Sequence, residues 1–283
     1  MRKTTFNHEQ LRNVRIGFLG AGSIVEAMLK GIIQRRLLPL EQILVTNRSN
    51  DEQLDKLSTA YEIQTTRDIE KLLSQSDILI LAMKPKDAHE ACLALRGLVN
   101  ERHLVISVIA GIATELLGEW LDTSCPIVRT MPNTSSAVGL SATGVSQGVH
   151  STTEHLALAS TLFESIGAVY AVPEEELDIV TGLSGSGPAY IYYLVEAMEG
   201  AGANAGLSPL MARQLTLQTL LGAAQMLLHS SEEPAVLRQK VTSPGGTTQA
   251  GLEVLDHYGV KQAFSSAVLR ATERSRELGA QFR

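Results

Sequence analysis

Short runs of Ile, Leu and Val recur through the first half of the chain, each separated from the next by a stretch with helical spacing of its apolar residues. Residues 15–19, 43–46, 78–82, 104–108 and 127–130 lack the apolar/polar alternation of a half-exposed strand and read as strands buried on both faces. Residues 24–35, 52–60, 69–73, 88–95 and 113–120 repeat their apolar positions at helical spacing. Strands covered on both faces need helices on both sides, so the alternation implies a right-handed, doubly wound, mainly parallel sheet. Residues 142–146, a helix over 153–165 and a strand over 168–172 extend it.

Beyond Pro173 the strand-like runs stop and long helical windows follow, over 189–203, 210–229 and 260–278. Gly187-Pro188 and Ser208-Pro209 read as helix starts with Pro in the first turn, Ser208 serving as a cap. The expected organisation is an N-terminal extension over 1–13, an α/β domain over 14–172 and an all-α domain over 173–283, and a chain of 283 residues suits two domains. The helix over 210–229 is apolar around much of its circumference, which suggests burial against a second subunit.

Composition narrows the partners. Thirty acidic against 24 basic side chains give a net charge of -6, with no Lys/Arg cluster, and aromatic residues are 4% of the chain. Nucleic acid is therefore not an expected partner. Cys92 and Cys125 are far apart and the seven histidines form no close ligand pair, so neither disulfide nor metal site is expected. No signal-peptide pattern opens the chain, and its most apolar segments are much shorter than the roughly 18 residues of a membrane span. A soluble cytoplasmic protein is expected, with no membrane partner.

Gly20-Ala21-Gly22-Ser23-Ile24-Val25 joins the first strand to the first helix. In that position Gly20 permits a tight turn, Gly22 lets the backbone approach a pyrophosphate, and the helix N-terminus offers free N–H groups. At the end of the second strand, Asn47-Arg48-Ser49 carries no carboxylate for ribose hydroxyls, whereas Arg48 can pair with a 2'-phosphate and Asn47 and Ser49 can donate to it. NADPH is favoured, with NADH as the alternative. Ala82-Met83-Lys84-Pro85 and Val108-Ile109-Ala110 end later strands on the same carboxyl edge, where a nicotinamide ring could lie.

Two runs of small residues stand at expected helix starts in the second half, residues 181–188 and 241–248, and such runs can present N–H groups and hydroxyls to a carboxylate. The segment Val241-Thr-Ser-Pro-Gly-Gly-Thr-Thr-Gln-Ala-Gly-Leu-Glu-Val-Leu-Asp256, backed by Thr181-Gly-Leu-Ser-Gly-Ser-Gly-Pro-Ala-Tyr190, resembles the signature of pyrroline-5-carboxylate reductases, and the likeness extends from about Val14 to Gly279. The resemblance implies a Rossmann domain followed by a helical dimerisation domain. It also implies a homodimer, often assembled into larger rings, and reduction of 1-pyrroline-5-carboxylate to L-proline with NADPH.

Carried over, Leu19, Gly20, Ala21, Gly22, Ser23, Ile24, Asn47, Arg48 and Ser49 resemble the pyrophosphate and adenosine-ribose contacts. Ala82, Met83, Lys84, Pro85, Val108, Ile109 and Ala110 resemble the nicotinamide-side contacts. Ser243, Gly246, Thr247 and Thr248 resemble the carboxylate-holding residues, with Thr248 also near the ring nitrogen and so the candidate catalytic residue, while Glu174 and Lys240 match positions lining the substrate site. Two rivals stand beside this reading. One is a β-hydroxyacid dehydrogenase using Lys240 as acid/base; the other is a dinucleotide-binding regulator without catalysis.

Overall fold

The computed structural model describes Leu11 and residues 13–282. Apart from Leu11 and Asn13, the expected N-terminal extension lies outside the described residues. The chain forms two compact units. One comprises the residues up to Ser186 together with those from Arg270 onward, and the other is Gly187–Leu269.

In the first unit the chain runs β1 (Ile16–Leu19), α1 (Ser23–Arg35), β2 (Ile43–Thr46), α2 (Asp51–Tyr61), β3 (Gln64–Thr65), α3 (Ile69–Ser74), β4 (Ile78–Leu81) and α4 (Pro85–Leu95). It continues through β5 (Leu104–Ser107), α5 (Thr114–Leu121), β6 (Ile127–Met131), β7 (Ser141–Gln147), α6 (Thr153–Glu164), β8 (Gly167–Ala171) and α7 (Leu177–Val180). The strands form one sheet in the order β3-β2-β1-β4-β5-β6-β7-β8. Every pairing is parallel except β6 with β7, which is antiparallel.

The expectation of strands buried on both faces holds: every residue of β1, β2, β4 and β5 is buried. Alternate residues feed two cores. Ile16, Phe18, Ile43, Val45, Ile78 and Ile80 pack with α1, α2 and α6, while Leu19, Leu44, Leu79 and Leu81 pack with α3, α4 and α5. Cys92 and Cys125 lie in the second core, and burial pushes their thiols up to about 12 and about 11. They are therefore neutral packing groups.

The chain divides later than position 172, and its end returns to the first unit. Glu174 and Asp178 are drawn into that unit by Arg129 of β6, which is only 5% exposed and stands 3.6 Å and 3.8 Å from their carboxylates. Ser275 Oγ donates to Asp178 at 2.5 Å, and a Cβ at Gly279 would lie 2.3 Å from the Gly111 carbonyl, so the two backbones touch. A buried arginine requires paired carboxylates, and those carboxylates fix the segment after β8 and the last turns of the chain.

The helices after α7 are α8 (Gly187–Asn204), α9 (Pro209–His229), α10 (Pro234–Lys240), α11 (Thr247–His257) and α12 (Val260–Ala280), the last running from the second unit into the first. Ser208 caps α9 as expected, accepting from Met211 N at 3.2 Å. Only Ala212 and Thr216 of α9 are buried, whereas Leu210, Leu221, Met226 and Leu228 are 54–77% exposed. So much open apolar surface on one helix is the mark of an interface. Among the described residues, no helix is long and apolar enough to cross a membrane.

Candidate active site

In the strand order, β1 lies between β2 and β4, where successive connections depart in opposite directions, and ligands of open α/β sheets bind outside the strand ends at such a switch point. The ladder continues one residue past the strands: Gly20 N donates to Thr46 O at 2.8 Å, Ala82 N to Leu19 O at 2.9 Å and Val108 N to Leu81 O at 3.1 Å. This aligned edge borders a cavity of about 610 Å³ walled by Leu19 to Gly22, Asn47 to Ser49, Ala82 to Lys84 and the side of α4 that carries Lys86, Asp87 and Glu90.

The two glycines of the first turn have different causes. Gly20 has φ +124°, and a Cβ there would lie 2.2 Å from the Ala82 carbonyl, so the fold itself demands glycine. Gly22, the N-cap of α1, has φ −83° and ψ −174°, a conformation open to any residue, and a Cβ there would meet nothing within 4 Å. No side chain caps α1, so its first N–H groups remain open to a ligand. An empty approach in front of an uncapped helix fits a pyrophosphate.

At the β2 end the Asn47 amide, expected to donate to a phosphate, also holds the loop, through one of its two N–H bonds and its oxygen. Its Nδ2 donates to Asn50 O at 2.7 Å, and its Oδ1 accepts from Asn50 N at 2.8 Å and from Arg67 Nη1 at 2.8 Å. Arg67, which the sequence reading missed, also donates to Asn47 O at 2.6 Å and pairs with Asp51. It follows β3, a strand two residues long and polar that no local pattern announces. Arg48 and Ser49 are left facing the cavity, with Arg48 68% exposed.

Ser23, Ile24, Pro85, Val108, Ile109 and Ala110 lie outside these walls. Ile109 is 1% exposed and points into the second core, so any ligand contact there must be through backbone. Ser23 opens α1, and Pro85 is the first residue of α4, with Lys84 as its cap position.

The two small-residue runs diverge. Residues 241–248 do end in a helix start: Gly246 is the N-cap of α11, it has no side-chain cap, and Gly245 adopts φ +70°. Ser243, Thr247 and Thr248 are exposed around it. In residues 181–188 the helix start is confined to Gly187-Pro188, where α8 begins as expected, and the small residues before it are not an open turn. Thr181–Gly185 is a π-helical turn continuous with α7, and Ser186 N donates to Thr181 O at 2.8 Å. Thr181 Oγ1 and Ser184 Oγ donate back to Leu177 O and Val180 O, so the hydroxyls are spent along the helix. Pro188 supplies no N–H to the Ser184 carbonyl, and Asn133 Nδ2 donates to it instead at 3.0 Å.

Glu174 and Lys240 are both engaged within the chain. Glu174 accepts from Thr114 N at 2.7 Å and Thr114 Oγ1 at 2.6 Å, closing the N-terminus of α5. Lys240 Nζ lies 2.6 Å and 2.7 Å from the two carboxylate oxygens of Glu232.

Residues 174–278 match the family model described as pyrroline-5-carboxylate reductase dimerisation, and residues 15–111 match the model described as NADP oxidoreductase, coenzyme F420-dependent. Pyrroline-5-carboxylate reductase 1 of Bacillus subtilis is 44% identical over 264 residues, 93% of this chain and 89% of that protein. The Arabidopsis thaliana pyrroline-5-carboxylate reductase is 37% identical over 93% of this chain and 95% of its own. The solved pyrroline-5-carboxylate reductase of Coxiella burnetii superposes with a TM-score of 0.87 at 36% identity, covering 94% of this chain and 98% of that one. The Plasmodium falciparum pyrroline carboxylate reductase, solved with NADP bound, gives 0.85 at 27% identity over 95% and 99%. With this identity sustained along nearly the whole of both chains, the chain belongs to the pyrroline-5-carboxylate reductase family.

Proposed function

We propose that the protein reduces 1-pyrroline-5-carboxylate to L-proline, the last step of proline biosynthesis, by NAD(P)H-dependent hydride transfer to the imine carbon, with NADPH preferred. The observation that carries this reading is the contrast at the switch point, Gly20 demanded by the fold and Gly22 demanded by nothing in it, in a chain whose relatives bear this activity in their names.

The dinucleotide, when bound, supplies the hydride. Gly20 to Ile24 and the open N–H groups of α1 hold the pyrophosphate, and Arg48 with Ser49 faces the 2'-phosphate. Ala82 to Pro85 and the backbone of Val108 to Ala110 form the edge for the nicotinamide. The N–H groups at the start of α11, with Ser243, Gly246 and Thr247, bind the substrate carboxylate, and the Thr248 hydroxyl hydrogen-bonds the ring nitrogen as it becomes an amine. Fixing the carboxylate and the nitrogen together holds the ring in one orientation, which is the entropic part of catalysis. Glu174 and Lys240, committed to Thr114 and Glu232, shape the surrounding backbone in this reading. The open apolar face of α9 packs in a homodimer, with rings of dimers as the larger assembly, and the setting is cytoplasmic.

Two measurements test the reading. Purified protein should consume NADPH with the cyclic imine and fail to reduce NADP+ with a β-hydroxyacid; the reverse pattern favours the dehydrogenase rival. Thr248→Ala should lower turnover by about tenfold, the cost of one lost transition-state hydrogen bond, while leaving the Kd for NADPH unchanged. Unaltered turnover would remove Thr248 from the mechanism.

A further inference from the structure

Arg48, a cation facing the nucleotide cavity, already has partners. Its Nη1 lies 2.9 Å from Asp87 Oδ1 and 3.7 Å from Glu90 Oε2. Both carboxylates come from α4, on the far side of β1 from the loop that carries Arg48, and both line the same cavity as Gly20 and Gly22. The Asp87 side chain is 26% exposed, against 68% for Arg48 and 80% for Glu90, so Asp87 is the better-held member of the group. The end of β2 has no carboxylate, yet the cavity has two, delivered by an element remote in sequence.

We infer that Asp87, seconded by Glu90, is a specificity-determining residue that tempers the preference for a 2'-phosphorylated dinucleotide by competing for Arg48. The inference rests on the reading that this cavity takes the adenosine end of the cofactor. A guanidinium can serve a carboxylate or a phosphate with the same donors, but Nη1 cannot give its best geometry to both. A 2'-phosphate that pairs with Arg48 must displace Asp87 and then sit close to two carboxylates, which repel it. Lys84 and Lys86 on the same walls offset part of that repulsion. The unphosphorylated dinucleotide presents a neutral hydroxyl at this point, so it neither displaces Asp87 nor is repelled. Asp87 therefore weakens NADPH more than NADH, and removing its charge should sharpen the discrimination.

The test is a set of equilibrium titrations of the full-length protein with NADPH and with NADH, reading the ratio Kd(NADH)/Kd(NADPH). Asp87→Asn keeps the side-chain shape and should raise the ratio by about two- to fivefold, the range set by one solvent-exposed ion pair. Glu90→Gln should move it in the same direction by less. Arg48→Ala should lower the ratio, and in that background Asp87→Asn should no longer raise it. An unchanged or lower ratio in Asp87→Asn overturns the inference, as does an equal rise with and without Arg48. Failure of the unaltered protein to bind either dinucleotide overturns the cavity assignment, and the inference with it.

Discussion

Replacing each glycine of the first turn by alanine separates what the fold needs from what the ligand needs. In Gly20→Ala the new Cβ would stand 2.2 Å from the Ala82 carbonyl, on a backbone with φ +124°. The strained φ costs about 1–3 kcal/mol and the steric clash a further 1–3 kcal/mol. A loss of about 2–6 kcal/mol lowers the melting temperature by roughly 4–24 °C for a unit of this size. In Gly22→Ala the backbone is already in an ordinary region and the space is empty. Alanine is a poorer N-cap than glycine by up to about 1 kcal/mol, but it lowers the entropy of the unfolded chain by about 0.4–1 kcal/mol, so the two nearly cancel. The methyl group, however, occupies the approach to the helix N-terminus, and NADPH affinity should fall by at least about tenfold, the equivalent of 1.4 kcal/mol. Thermal melts by circular dichroism and NADPH fluorescence titrations measure both quantities. A Gly22→Ala protein that melts as early as Gly20→Ala, or that binds NADPH like the unaltered protein, refutes the reasoning.

Arg67→Ala releases the Asn47 turn, and should raise the KM for NADPH and NADH alike by about fivefold, in keeping with the loss of about 1 kcal/mol of partly exposed charged hydrogen bonding; a selective effect on NADPH would place Arg67 on the phosphate itself. Asp77 is held below its ordinary 3.8 by hydrogen bonds from Arg15, whose guanidinium lies 2.8 Å away. A carboxylate with a depressed folded value stabilises the protein above its unfolded value, and that contribution disappears as pH falls through the folded one. Asp77→Asn should therefore melt about 1–3 °C lower at neutral pH, a screened surface pair being worth up to about 1 kcal/mol, and the gap should close below pH 3.8. Leu221→Glu, on the exposed apolar face of α9, should shift the protein to smaller species in sedimentation velocity; an unchanged profile would place the interface elsewhere.

What could be read from the sequence follows the range of the forces involved. The central strands were legible because burial on both faces leaves an unbroken apolar run, as in Ile78-Leu79-Ile80-Leu81. Gln64-Thr65 was not, since a two-residue edge strand is held by its neighbour alone. The short helix α10 carried a readable signal in Glu233-Pro234, an N-cap position followed by Pro, that went unused. Small residues at 181–188 and at 241–248 look alike in one dimension. Only the i to i+5 hydrogen bond from Ser186 to Thr181, and the side chain of Asn133 arriving from a distant loop, distinguish a widened helix from an open helix start. The glycine turn and Arg48 were found because they are local features. Arg67, Asp87 and the return of Ser275 to Asp178 were not, because each joins segments whose proximity only the sheet order creates.

The most direct measurement of the central claim is the fate of the hydride itself. The protein, incubated with unlabelled 1-pyrroline-5-carboxylate and NADPH deuterated at the transferable position of the nicotinamide, should yield L-proline one mass unit heavier, with the deuterium on the former imine carbon. Proline without label, or labelled cofactor consumed with no proline formed, would contradict it.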